Sequence, residues 1–261
     1  GDMSERIEHF DVEGTPRLSL RLPSGSVRIV RGEPGVVAVR LRGGARDLER
    51  FVVEQRGDEV VVEPDRSGGW GRWSSADVVI ETGEPAALRA RLASSDVTST
   101  VDLAEASVDT AAGDVRLGDV TGTVTVKSAS GGVRLGRVGA DATLTAASGD
   151  LVAEEIGGRL GARTASGDLQ GGRVGGDVSV RTASGDVRIR GFYGDSLDVK
   201  TLSGDVHAGV APGRRYRVSF SSMSGDISTD FPVSDGSGDR TPASVTVKTM
   251  SGDITIGAAR G

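Results

Sequence analysis

From about residue 94 onward the chain is filled with short runs in which apolar and polar residues alternate. Val115, Leu117, Val120, Val124 and Val126 recur as Val133, Leu135, Val138, Ala142 and Leu144, and again as Val187, Ile189, Leu197 and Val199. Alternation by two predicts strands, and the intervening Arg116, Arg134 and Arg188 predict that one face of each strand is wet. The runs are tied to a turn glycine. Gly113, Gly131, Gly149, Gly167, Gly185, Gly204, Gly225 and Gly252 follow one another at spacings of 18, 18, 18, 18, 19, 21 and 27 residues. Ser precedes the glycine and Asp follows it at Asp150, Asp168, Asp186, Asp205, Asp226 and Asp253. Ala112-Gly113-Asp114 and Ser130-Gly131-Gly132 are variants, and Ser237-Gly238-Asp239 falls out of phase in an insertion.

Two short strands and two turns fit into such a unit, which has no core of its own. Stacking equivalent strands in register pairs their backbones and buries a continuous strip of Val, Leu and Ile. The expected fold class is therefore all-β: a parallel β-solenoid of the β-helix or β-roll type, built from 18-residue two-strand rungs over residues 94–261. Its turn glycines serve positive φ, and the adjoining Ser and Asp are expected to hydrogen-bond turn amides. These are structural residues in this reading. Stacked aspartates repel by on the order of 1 kcal/mol per neighbouring pair even in water. Lys127, Arg163, Arg181, Lys200 and Lys248 lie five residues before the Asp position and are expected to offset that repulsion; Thr145 and Ser221 interrupt the pattern.

Residues 1–93 contain strand-like runs ("RLSLRL", "SVRIVR", "VVAVRLR", "EVVVE") without the same beat. They predict an irregular strand-rich segment that begins or caps the solenoid within one continuous domain, with one helical turn at Ala45 to Arg50. A solenoid needs its ends covered. The carboxyl end stops soon after a good strand, so the last rung is expected to be an open edge and a route to homo-oligomers.

Composition narrows the function. Forty glycines and 3% aromatic residues suit many short strands rather than a bulky core. A net charge of -6 with interleaved acids and bases argues against nucleic acid as a partner. Without cysteine there are no disulfides or thiolate metal sites. No apolar run is long enough for a transmembrane segment, and "MSERIEHF" from Met3 is not a signal peptide, so the expected location is cytoplasmic, free or membrane-associated.

Candidate contacts lie where the repeat is broken. Trp70 and Trp73 in a Gly/Ser loop, and Phe192 and Tyr193 in "GFYGDS", are the ligand-binding candidates. The insertion after Asp226, with Asp230, Asp235 and Asp239, is a further variable loop. Arg56-Gly57-Asp58 is read as a hairpin turn between two strands. No cofactor and no metal are expected: the turn pattern lacks the calcium β-roll continuation, and His9 and His207 have no metal-ligand spacing. Catalysis by a polysaccharide-cleaving β-helix would need one acid distinguished from its neighbours, whereas this chain repeats equivalent acids. An enzyme is not the expected reading.

The segments "VKSASGG", "ARTASGDL", "VRTASGDVRI", "VKTLSGDV" and "VKTMSGDITI", with a weaker early unit "LRLPSGSVRIV" around Gly25, resemble a bacterial β-strand-repeat family of unknown function labelled "putative adhesin". The resemblance is best from Asp96 to Ile256. It implies a β-solenoid, no catalytic residues, and a binding or scaffold role toward an unknown protein or envelope component, linked in some members to cell-envelope stress. Self-assembly through the carboxyl-terminal rung is the alternative.

Overall fold

The structure is a computed structural model that describes residues 2–68, 74–231 and 241–260. Strand accounts for 70% of it and helix for 2%, and the fold is a parallel β-solenoid. The chain divides into two compact units, Gly1–Val133 and Arg134–Gly261. Among the described residues no helix is long and apolar enough to cross a membrane.

The first unit carries β1 (Met3–Asp11), β2 (Arg17–Arg31), β3 (Val36–Gly44), α1 (Ala45–Leu48), β4 (Phe51–Arg56), β5 (Glu59–Pro64), β6 (Ser75–Thr82), β7 (Ala86–Ser99), β8 (Leu103–Ala112), β9 (Val115–Leu117) and β10 (Val124–Ser130). "LRLPSGSVRIV" is a full rung. β2 pairs in parallel with β7 from Arg17↔Ala87 to Ile29↔Ser99, and Gly25, at φ 119°, lies opposite Ser95 in the turn column. On its other edge β2 pairs with β5 and β6, as Leu18↔Val60 and Val27↔Val78. β5 and β6 thus stack before β2, against chain order.

Antiparallel strands cover that outer rung. β3 lies on β6, β1 on β3, and β4 on β5 through a hairpin whose Gly57 has φ 64°. β1 alternates exposed and half-buried positions, and its Glu5 reaches Arg42 at 2.9 Å and Arg40 at 3.5 Å. Charged side chains on an outermost strand discourage further pairing.

The second unit follows β11 (Val133–Val138) with β12 (Ala142–Ser148), β13 (Leu151–Ile156), β14 (Leu160–Ser166), β15 (Leu169–Val174), β16 (Val178–Ser184), β17 (Val187–Phe192), β18 (Ser196–Ser203), β19 (Val206–Val210), β20 (Tyr216–Ser224), β21 (Ile227–Thr229), β22 (Ala243–Ser251) and β23 (Ile254–Ala258). β12, β14, β16 and β18 stack in one parallel series, and β13, β15, β17 and β19 in another. Equivalent residues meet, as in Leu160↔Val178↔Leu197 and Thr164↔Thr182↔Thr201. Their sizes are matched: Ile189 packs where Gly171 leaves room, since a Cβ on Gly171 would lie 2.9 Å from the Ile189 side chain.

The end of this unit corrects the expectation of an open carboxyl-terminal rung. β22 pairs with β18 on one edge and β20 on the other, and β23 lies between β19 and β21. The apolar content of the two rungs explains the exchange. Val245, Val247, Ile254 and Ile256 are at most 1% exposed in the inner position, whereas Val218 and Ile227 of the outer rung remain 46% and 45% exposed. An intervening rung has neighbours on both sides, so the more apolar segment gains more burial there. Among the described residues, β20 and β21 have no strand on their outer edge. Phe231 packs over β20 instead, with ring centroids 6.1 Å from Phe220 and 5.7 Å from Tyr216.

Candidate binding face

Each repeat turn is built by its glycine and its aspartate. Gly113, Gly131, Gly149, Gly167, Gly185, Gly204, Gly225 and Gly252 all have φ between 113° and 144°. A Cβ on Gly185 would sit 2.1 Å from the carbonyl oxygen of Gly167, so backbone proximity as well as φ requires glycine. Among the described residues, the aspartates bond the neighbouring rung and not their own turns. Asp168 donates its amide to Oδ1 of Asp150 at 2.9 Å, Asp186 to Asp168 at 2.9 Å and Asp205 to Asp186 at 2.8 Å. Asp253 donates to Asp205 at 2.8 Å and Asp226 to Asp253 at 2.9 Å. Asp114 and Asp96 make the same bond in the first unit at 2.7 Å, and Gly132 donates to Asp114 at 2.9 Å.

Amides of the next rung, not bases, therefore satisfy the carboxylates, which corrects the expected charge offset. Arg181 pairs with Asp198 on its own sheet at 2.8 Å. Arg163, Lys200 and Lys248 make no ion pair among the described residues. Beneath the turns, Thr164, Thr182 and Thr201 are buried and donate their hydroxyls to the carbonyls of Ser166, Ser184 and Ser203 at 3.2 to 3.4 Å.

The register turns these local features into columns. Arg163↔Arg181↔Lys200↔Lys248↔Ser221 run across β14, β16, β18, β22 and β20 on the outward face. Two residues further along the same strands come Ala165, Ala183, Leu202, Met250 and Met223, bracketed by the pairs Thr201↔Thr249 and Ser203↔Ser251. Leu202, Met250 and Met223 are 55%, 51% and 78% exposed. The turn then brings Asp168, Asp186, Asp205, Asp253 and Asp226 into a third column. Successive members of each column are about 4.8 Å apart, the spacing of paired strands. The face is thus striped: cations, large apolar side chains, carboxylates.

In the sequence the cations show only as a flank to the turn, and the apolar stripe only as a change at one position of the repeat. That signal is the change from Ala to Leu or Met before the in-phase Ser-Gly-Asp turns at Ser203, Ser224 and Ser251. Its members occur in the order Leu202, Met223, Met250, and the exchanged rungs reorder them as Leu202, Met250 and Met223, which makes Lys200 and Lys248 neighbours and leaves Ser221 at the end of the cation column.

Of the residues singled out from sequence, Trp70, Trp73, Asp235 and Asp239 lie outside the described residues. Phe192 is fully buried on β17 and belongs to the core, so it presents no surface to a ligand. Tyr193 is half-buried, with the Arg173 guanidinium 3.8 Å from its ring centre, a cation–π contact that holds the ring on the other sheet. Asp230 starts the insertion and donates its amide to the carbonyl of Ile256 at 2.8 Å. Asp58 of the Arg-Gly-Asp hairpin meets Arg17 at 3.3 Å. His9 lies on β1, and His207 on β19 opposite Arg188. Among the described residues no group of three or more His, Asp or Glu is placed to hold a metal ion.

Comparison with solved structures finds similarity to a "putative adhesin" from Bacteroides fragilis, at 13% identity over 97% of both chains with a TM-score of 0.43. A second protein described in the same words, from Parabacteroides distasonis, is 10% identical over 98% of both chains with a TM-score of 0.47. A "putative lipid binding protein" from the same species is 11% identical over 97% of this chain and 96% of its own, with a TM-score of 0.47. Comparison with curated proteins gives no match. The family model described as Toastrack DUF4097 matches residues 16–257, and the chain belongs to that family.

Proposed function

We propose that this protein is a non-catalytic binding or scaffold protein that engages a macromolecular partner, a protein or an envelope component, through the striped outer face of its second unit. The observation that carries this reading is the row of exposed Leu202, Met250 and Met223 beside Lys200 and Lys248, which make no ion pair among the described residues. A contiguous exposed apolar patch rimmed by charge is the surface signature of association. Rung pairing holds the row on a sheet, so neighbouring side chains are presented together and each contact raises the effective concentration of the next. The aspartates support a structural role. They are repeated in equivalent settings, and Asp150, Asp168, Asp186, Asp205 and Asp253 each accept a backbone amide, whereas acid–base chemistry requires two acids in unlike settings.

The test is retention of macromolecules from an extract of the source cells by the immobilised full chain. Lys200→Glu with Lys248→Glu is expected to reduce retention about tenfold or more, as loss of charge complementarity does. Arg188→Glu with Thr255→Glu, on the other sheet, is the control and is expected to leave it unchanged. Equal retention by all three proteins rejects the face.

A further inference from the structure

We infer that the striped face pairs with the same face of a second copy of this chain, about a two-fold axis parallel to the direction in which the rungs stack. This rests on the binding-face reading above and names the occupant. Three columns succeed one another along the rungs: Arg163, Arg181, Lys200 and Lys248; then Ala165, Ala183, Leu202, Met250 and Met223; then, at the turn that edges the face, Asp168, Asp186, Asp205, Asp253 and Asp226. A two-fold axis along the middle column exchanges the outer two. It sets the cations of one copy against the aspartates of the other, rung by rung: Arg163 against Asp168, Lys200 against Asp205 and Lys248 against Asp253. A two-fold axis across the columns would instead oppose cation to cation. Charge therefore selects one orientation, and the contact is isologous and closed.

The middle column lies on that axis, where Leu202, Met250 and Met223 each meet their own counterpart. Three exposed apolar side chains leave water together, flanked by charge pairs that set register more than affinity. Arg181 already pairs with Asp198 and keeps that bond. The aspartates retain a second oxygen, since the next rung's amide occupies only Oδ1. The same columns argue against an anionic lipid surface or a nucleic acid. Either would be drawn to Lys200 and Lys248 and repelled by Asp205, Asp253 and Asp226 on the other side of the stripe. A fitting partner carries base, apolar stripe and acid at the same spacing, and this face is one.

The chain has no cysteine, so single introduced cysteines report cleanly. Met250→Cys is expected to give a disulfide-linked dimer on mild oxidation, and Thr255→Cys, on the other sheet, is not. Sedimentation velocity of the unmodified chain should show a dimer that weakens as salt is raised. Lys200→Glu with Lys248→Glu should weaken it about tenfold or more, and so should Asp205→Asn with Asp253→Asn, which keeps the Oδ1 acceptor and removes the charge. A monomer at every concentration overturns the proposal. So does a dimer indifferent to these changes, equal cross-linking from both cysteines, or a monomer that binds phosphatidylcholine/phosphatidylglycerol vesicles through Lys200 and Lys248. A monomer that still retains a macromolecule from extract through those lysines overturns the self-pairing and leaves the binding face standing; loss of both removes both.

Discussion

The backbone amide of Asp253 donates to Oδ1 of Asp205 at 2.8 Å, across 48 residues of chain and a single rung of structure. Asp226, which succeeds Asp205 in the repeat, bonds Asp253 instead. The aspartate ladder is thus continuous although the chain that supplies it is not in order. Two segments with the same turn have exchanged places in the stack, and the more apolar one holds the inner place.

Hydrogen exchange should report the exchanged order. Amides of β22 and β23, paired on both edges, are expected to exchange more slowly than those of β20 and β21, although the latter lie nearer the middle of the chain. Peptide-level exchange by mass spectrometry checks this. Slower exchange over Tyr216–Thr229 than over Ala243–Ala258 would contradict the stacking.

The ladder bond can be weighed by a pair of substitutions at Asp168, which accepts the amide of Asp186 at 2.9 Å. Asp168→Ala leaves that amide to solvent and is expected to cost about 1 kcal/mol. Asp168→Asn keeps the acceptor and should stay within about 0.5 kcal/mol of the parent. Urea unfolding midpoints of the two variants separate hydrogen bonding from charge.

Two glycines of the second unit should respond in opposite directions. Gly185→Ala forces a side chain onto φ 136° with its Cβ 2.1 Å from a carbonyl oxygen, so destabilisation of at least about 2 kcal/mol is expected. Gly161 lies within β14, and a Cβ added there would meet nothing within 4 Å, so Gly161→Ala should be neutral or stabilising by about 0.5 kcal/mol. Thermal melts are sufficient to distinguish the signs.

Tyr216 predicts a feature of the alkaline limb. Burial raises its phenol above the ordinary value, outweighing Arg214, which lowers it; the phenol donates to the Ala211 carbonyl at 2.6 Å. The unfolded chain then loses its proton first as pH rises. This contribution is complete below about pH 10, the ordinary phenol value, and is lost as pH climbs toward the folded value. Tyr216→Phe should lower stability near neutrality and flatten the decline above pH 10. Urea midpoints across that range test it, and parallel curves for the two proteins would refute it.

Much of the architecture was legible in the spacing of glycines. Positive φ and a carbonyl within 2.1 Å leave no other residue at Gly185 or Gly204, so the turn recurs visibly, and alternation marks the strands between turns. The hairpin at Gly57 and the helical turn at Ala45–Leu48 were legible for the same local reasons. The candidate site was not. Phe192 stood out as a rare aromatic yet fills the core, while the exposed row of Leu202, Met250 and Met223 is composed of residues that sequence reading ordinarily assigns to an interior.

Which residues turn, which alternate and that equivalent rungs stack can be read along the chain, because these follow from backbone sterics and side-chain period within a few residues. The order of stacking emerges from the folded molecule. β2 lies between segments that both follow it, and β22 lies between two that both precede it. Pairing geometry is nearly the same for every rung, so order is set by how much apolar surface each segment buries between two neighbours. That is a comparison among whole rungs, and it makes Lys200 and Lys248 neighbours and leaves Ser221 and Met223 on the outermost rung.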